Sequence, residues 1–198
     1  GVTHNASGDL TTTGVGTITV TATTGNIAMV DGTVYSTGSG TVSLTAATNI
    51  VLAEITTTSS TVGLTATAGS ITDITSAETA NITSTATATL SAATGIGVSG
   101  SGNIDTTIGT LSATNSTSGD IFIAETNGLI VSAATTSLGN GNIDIRTAAG
   151  AFTVSGTVSA HGSGDVTLVA TGGLLTVNAA VSSTTGDISL TGGTGVTH

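Results

Sequence analysis

The chain has 198 residues and a net charge of −10 at pH 7, built from 11 acidic residues and a single Lys/Arg-type cation, Arg146. Only 6% of residues are charged, against about 25% in ordinary globular proteins, and Pro, Cys and Trp are absent. With a single such cation to displace counterions, no nucleic-acid or phosphate surface is expected. No apolar run approaches the ~20 residues of a membrane-spanning helix, and the first residues carry neither the basic nor the apolar region of a signal peptide. The lack of Cys is compatible with an oxidising compartment without establishing one.

Threonine makes up roughly a quarter of the chain, and glycine supplies 29 residues. Thr, Val and Ile are stiff at χ1 and suit a pleated backbone, whereas Gly every few residues would break any helix. Alternation with period 2 runs through Thr17-Ile18-Thr19-Val20-Thr21, Thr41-Val42-Ser43-Leu44-Thr45, Asp165-Val166-Thr167-Leu168 and Asp187-Ile188-Ser189-Leu190. Short strands with one apolar face are predicted throughout, and the chain reads as all-β.

Taken in chain order, a signature recurs: Gly, then Asp, Asn or Thr, then two apolar residues separated by one. It starts at Gly16 and Gly40, weakly at Ser60 and Ala86, and strongly at Gly119, Gly141, Gly164 and Gly186. The intervals are 24, 20, 26, 33, 22, 23 and 22 residues. A period near 22 fits three short strands and three turns per coil, with coils stacked in parallel at ~4.8 Å. The predicted fold is a right-handed parallel β-helix of about eight coils, a single solenoid over residues 1–198. The 33-residue interval predicts an extruded loop within 100–118.

Stacking the signatures predicts one interior column of Ile18, Val42, Val62, Ala88, Ile121, Ile143, Val166 and Ile188. Its companion is Val20, Leu44, Leu64, Leu90, Ile123, Ile145, Leu168 and Leu190. A second strand per coil starts at Ile27, Ile50, Ile71, Ile96, Leu129, Phe152 and Leu175, and a third is marked by Val34, Ile55, Ile82, Val158 and Val181. Each buried aliphatic side chain contributes ~1.5–3 kcal/mol, so such ladders hold a stack together without aromatics, metals or disulfides.

Segments such as Ser163-Gly164-Asp165-Val166-Thr167-Leu168-Val169-Ala170-Thr171-Gly172-Gly173 and Thr185-Gly186-Asp187-Ile188-Ser189-Leu190-Thr191 resemble the repeats of filamentous-haemagglutinin-like proteins. They also resemble the β-strand-repeat regions of very large bacterial surface adhesins. The resemblance spans nearly the whole chain and is strongest from Gly119 onward. It implies a right-handed β-helical shaft, secretion or cell-surface display, and a role in attachment or in an extracellular filament. Expected partners are neighbouring repeats or identical copies end to end, together with host or cell-surface glycans.

Asp120, Asn142, Asp165 and Asp187 share the second signature position in consecutive coils. Like charges ~5 Å apart repel, and Ca²⁺ takes such oxygen ligands, which makes Asp120, Asp165 and Asp187 candidate Ca²⁺ ligands. The competing reading is that they are solvated turn residues opening each strand; the Gly-Gly-x-Gly-x-Asp calcium repeat is absent. Gly95-Ile96-Gly97-Val98-Ser99-Gly100 matches the dinucleotide glycine pattern but no helix can follow it. Asn5, Asn81 and Asn115 fit the N-glycosylation acceptor pattern at the frequency that the Ser and Thr content gives by chance. His4, His161 and His198 lack metal-ligand spacing. The pairs Asp73/Glu78 and Glu125/Asp144 do not have the spacing of a hydrolytic dyad, and one Arg offers little for acidic sugars.

No catalytic residue and no cofactor is therefore assigned, and the expected role is structural. Two alternatives remain: a non-catalytic polysaccharide-binding β-helix, and an ice-binding solenoid in which Thr17-x-Thr19, Thr41-x-Ser43 and Thr87-x-Thr89 line one face. Against the latter, Gly63, Phe122, Asp144 and the Asp/Asn column are expected to interrupt that face. Finally, Gly1-Val2-Thr3-His4 recurs as Gly195-Val196-Thr197-His198. The offset of 194 residues predicts a tandem super-repeat of eight coils, each repeat adding roughly 38 Å to a shaft.

Overall fold

The computed structural model describes residues 1–75 and 77–198, and none of these is helical. The chain winds as a β-solenoid in which the strands pair in parallel with strands of the neighbouring coils. One column runs from end to end: Val2, Ile27, Ile50, Ile71, Ile96, Ile121, Ile143, Val166 and Ile188. It marks the first face of the solenoid. A second face begins with Leu10, Tyr35, Ile55 and Ile82. The third carries Ile18, Val42, Val62, Ala88, Leu111, Val131, Val154 and Val177.

The β-branched alternation seen in the sequence becomes an in/out alternation in space. Val42–Ala46 and Val62–Ala66 bury residues 42, 44, 46 and 62, 64, 66 and leave the rest at the surface. Ile143 and Ile145, Val166 and Leu168 are fully buried in the same manner. The interior is a single aliphatic core along the whole axis.

The predicted columns hold on each side of the chain's midpoint but not across it. Ala88 is covered by Leu111 and then Val131, not by Ile121. Ile121 instead rests on Ile96, which continues the column of Ile71 and Ile50. The 33-residue interval thus holds one coil plus one face. The five-residue strand of the signature lies on the third face up to Ala88 and on the first face from Ile121 onward.

The loop predicted within 100–118 is accordingly misplaced. Residues Ile104–Asn115 form one strand whose Ile104, Ile108, Leu111 and Ala113 are buried. The extra length is absorbed by this strand and by Ile82–Ala92, each with a register irregularity where it rounds the corner onto the third face. What leaves the sheet is the shorter stretch 97–103, pinned by the Val98 N–H to the Gly102 carbonyl at 2.7 Å. Val34 is also one residue out of register: Tyr35 faces the core and stacks between Leu10 and Ile55. Asp9 Oδ1 accepts the Val34 N–H at 2.8 Å and Thr33 Oγ1 donates to the Asn5 carbonyl at 3.1 Å, which draws Thr33 inward and sets the phase.

The last coil keeps its column without anything above it. Ile188 is 45% exposed and Val196 37%, whereas Ile143 and Val166 are fully buried.

Candidate functional site

The Asp/Asn residues that open the strands form a hydrogen-bonded ladder. Asp120 Oδ1 accepts the Asn142 N–H at 2.7 Å, Asn142 Oδ1 accepts the Asp165 N–H at 2.8 Å, and Asp165 Oδ1 accepts the Asp187 N–H at 2.8 Å. Asn26 and Asn49 do the same for Asn49 and Ser70, at 3.2 and 2.9 Å. Each side chain reaches one coil forward and satisfies a turn N–H that the strand ladder does not reach. In the Ca²⁺ reading of Asp120, Asp165 and Asp187, a cation would share Oδ1 of Asp120 and of Asp165 with backbone donors or bind through their other oxygens. Among the described residues no group of three metal-ligating side chains converges.

The third face carries a different surface. Thr21, Thr45, Thr65, Ser91, Thr114, Thr135, Ser159 and Ser182 stack in register, an unbroken hydroxyl column. Beside it run Thr19, Ser43, Gly63, Thr89 and Ser112, and then Thr87, Thr110, Ile130, Thr153, Thr176 and Thr197. The stretches of strand that form this face carry no charged residue; Asp105, in the strand Ile104–Asn115, lies before the corner onto it. The interruptions expected from Phe122, Asp144 and the Asp/Asn column do not fall here, because the shift of phase puts all of them on the first face. Gly63 does fall here and leaves a gap, and the exposed Ile130 interrupts the column between Thr110 and Thr153.

Where the second face turns into the third, Thr56, Thr83 and Thr107 stack in register and border a groove of about 480 Å³ with Gly109 and Asn127. Behind it lies Glu125, 2% exposed. Its Oε2 accepts the Thr106 hydroxyl at 2.8 Å and the Ile108 N–H at 3.0 Å, and its Oε1 accepts the Asn127 N–H at 3.1 Å. Burial pushes this carboxyl above its ordinary range, against those hydrogen bonds. Glu125 faces inward while Asp144, two positions before Arg146, faces outward, so they form no dyad. Asp144 is bound bidentately by Arg146 at 2.7 and 2.8 Å. This pair shares a hollow of about 310 Å³ with Phe122 and Asn103.

A second acidic group gathers at the corner near Asn81. Asn81 is fully buried; it donates to Asp73 Oδ1 at 2.7 Å and accepts the Asp105 N–H at 2.8 Å. The Asp105 carboxyl is pushed up to about 6 by burial and by the nearby Glu78 and Asp73. Oδ2 of both Asp73 and Asp105 is buried without a partner. Sequence spacing brings Asp73 and Glu78 together but gives no sign of Asp105, which arrives from the next coil.

The remaining motifs resolve into structure. His4 and His161 each hold a turn carbonyl through Nδ1, at Gly8 (2.9 Å) and Gly139 (2.8 Å). Gly95, Gly97 and Gly100 have positive φ in a turn and its flanks. Asn81 and Asn115 are buried, so neither can carry a glycan in this fold. The chain matches no protein-family model, no curated protein and no solved structure.

Proposed function

We propose that the chain is a structural segment of the shaft of a secreted or cell-surface adhesin or extracellular filament, stacked end to end on further copies of itself. The observation that carries this reading is the uninterrupted parallel column from Val2 to Ile188, in which each coil is covered by the next. Coils stacked in this way satisfy each other's strand-edge N–H and C=O groups and cover each other's apolar side chains, so the same stacking can extend from one copy to another. The recurrence of Gly-Val-Thr-His at residues 1–4 and 195–198 supports a copy of this chain as that coil. Asp120 and Asp165 each commit an oxygen to a backbone N–H of the next coil, which supports a structural role for that column.

The test is a chain of two copies, residues 1–194 followed by residues 1–198, imaged by electron microscopy. One straight rod of roughly 80 Å is expected, at ~4.8 Å per coil. Two short rods joined at a flexible point would sink the reading. Antibodies against the chain should label intact producing cells; label found only after lysis would remove the surface assignment.

A second reading, adsorption to ice, is favoured by the uncharged hydroxyl face. Its β-branched side chains are stiff at χ1 and repeat on a fixed lattice of strands. Thermal hysteresis that disappears in the Thr45→Glu/Thr114→Glu double variant would support it, and the absence of hysteresis in the parent chain would discard it.

A further inference from the structure

The two copies of Gly-Val-Thr-His do not lie on the same side of the solenoid. Val2 begins the first-face column, paired with Ile27. Val196 pairs with Leu175, which stacks on Phe152 and Leu129 at the start of the third face. The first-face column that starts at Val2 completes its eighth step at Ile188, so Val196 lies eight residues beyond a whole number of coils. A one-face advance also occurs inside the chain, where the five-residue strand passes from the third face at Ala88 to the first face at Ile121.

We infer that, if copies stack as proposed above, each is turned by one face relative to the one before it. The junction then has a defined register. Ile18 of the second copy lies over Ile188 of the first, and Thr19 over Ser189. The coil that joins Ile188 to that Ile18 has 24 residues, comparable with the 24 between Ile18 and Val42. Asp187 at the top of the ladder is the acceptor for the N–H of Thr17 in the second copy, as Asp165 is for Asp187.

The turn has a consequence for what the shaft displays. The first face of one copy, with its Asp/Asn ladder and the Asp144–Arg146 pair, continues as the hydroxyl face of the next. An uncharged face therefore winds around the shaft and returns to the same side with every third copy. A surface that binds this face meets it from any direction, once per three repeats along each side.

The inference rests on the end-to-end reading, and one experiment separates the two. The chain has no cysteine, so pairs can be introduced without background in the two-copy chain. Adjacent parallel strands place Cα atoms ~4.8 Å apart, within the 4.4–6.8 Å that a disulfide spans. Ser189→Cys in the first copy with Thr19→Cys in the second should close a disulfide on mild oxidation, read by mass spectrometry after digestion. Asn178→Cys with the same Thr19→Cys tests the alternative in which Ile18 continues the Val177 column and equal faces align. Closure of only the second pair overturns the turn between copies and leaves the shaft standing. Closure of neither, with a protease-sensitive junction and unchanged circular dichroism, overturns the stacking itself and the inference with it.

Discussion

Where each strand begins, a glycine and then a polar residue meet two separate demands. A Cβ on Gly141 would overlap the carbonyl oxygen of Gly119, and one on Gly164 or Gly186 would overlap the glycine carbonyl one coil earlier. The residue after each glycine then caps the next coil. Removing the acceptor with Asp165→Ala should cost about 0.5–1.5 kcal/mol, the usual net worth of one hydrogen bond. Asp165→Asn keeps the oxygen and sheds a charge, so it should melt at or above the parent temperature; denaturant titration of the two variants checks both. Not every glycine is held in this way. A Cβ on Gly63 meets nothing within 4 Å, and Gly63→Thr should be tolerated while filling the gap in the hydroxyl face. Gly173→Ala, blocked by the Gly150 carbonyl, should lower the melting temperature strongly in the same scan. The buried carboxyls set the pH response. Asp105, pushed up to about 6, binds its proton more tightly folded than unfolded, and Glu125 shifts in the same direction. The contribution of Asp105 to stability is full below the unfolded value near 4 and is lost as pH rises through about 6, and that of Glu125 changes in the same sense. The melting temperature should therefore rise on acidification from pH 7 to 4, and Asp105→Asn should flatten that rise.

Individual strands are short, and their stability is lent by the layers on either side. Leu168 has Ile145 on one side and Leu190 on the other and is fully buried. Leu168→Ala should cost about 2–5 kcal/mol, whereas Ile188→Ala, at a position 45% exposed, should cost clearly less in a single copy. In the two-copy chain the same Ile188→Ala in the first copy should become as costly as an interior truncation, since a second coil then covers it. The sequence made most of these strands readable, because alternation with period 2 says which side chains point inward. It does not say which face of the coil a strand occupies. Gly119-Asp120-Ile121 and Gly40-Thr41-Val42 carry the same pattern, yet one lies on the first face and the other on the third. Only the 33-residue interval hinted at a change, and a loop and a shift of phase both lengthen an interval. Tyr35 was hidden for a related reason: a side-chain and backbone bond to Asp9 moved its strand by one residue, a long-range effect that no local pattern carries. The site was less legible still. The ladder oxygens could be aligned from spacing, but their partners are backbone N–H groups, which every residue but proline has. Glu125 and Asp105 gained their character from neighbours one coil away.

For the molecule as a whole, coils of unequal length share one core. The distance along the chain between stacked residues runs from 19 (Thr106 to Glu125) to 27 (Ile55 to Ile82), and the surplus goes into the corners. Neighbouring coils touch only each other, so stability grows with the number of interfaces. The two-copy chain should melt at a higher temperature than one copy, measured by circular dichroism at equal mass concentration; equal melting would mean that the added interface is not formed. The same nearest-neighbour rule governs how a solenoid answers tension. A coil held by a single neighbour is the weakest layer, and a pull on the chain would peel such a coil away before any coil covered on both sides yields. Each layer released pays out about 22 residues, on the order of 75 Å of extended chain at ~3.3–3.6 Å per residue. A solenoid stretched in this way would lengthen in steps, absorbing work at every one, and would wind up again on the intact coil below when the force drops.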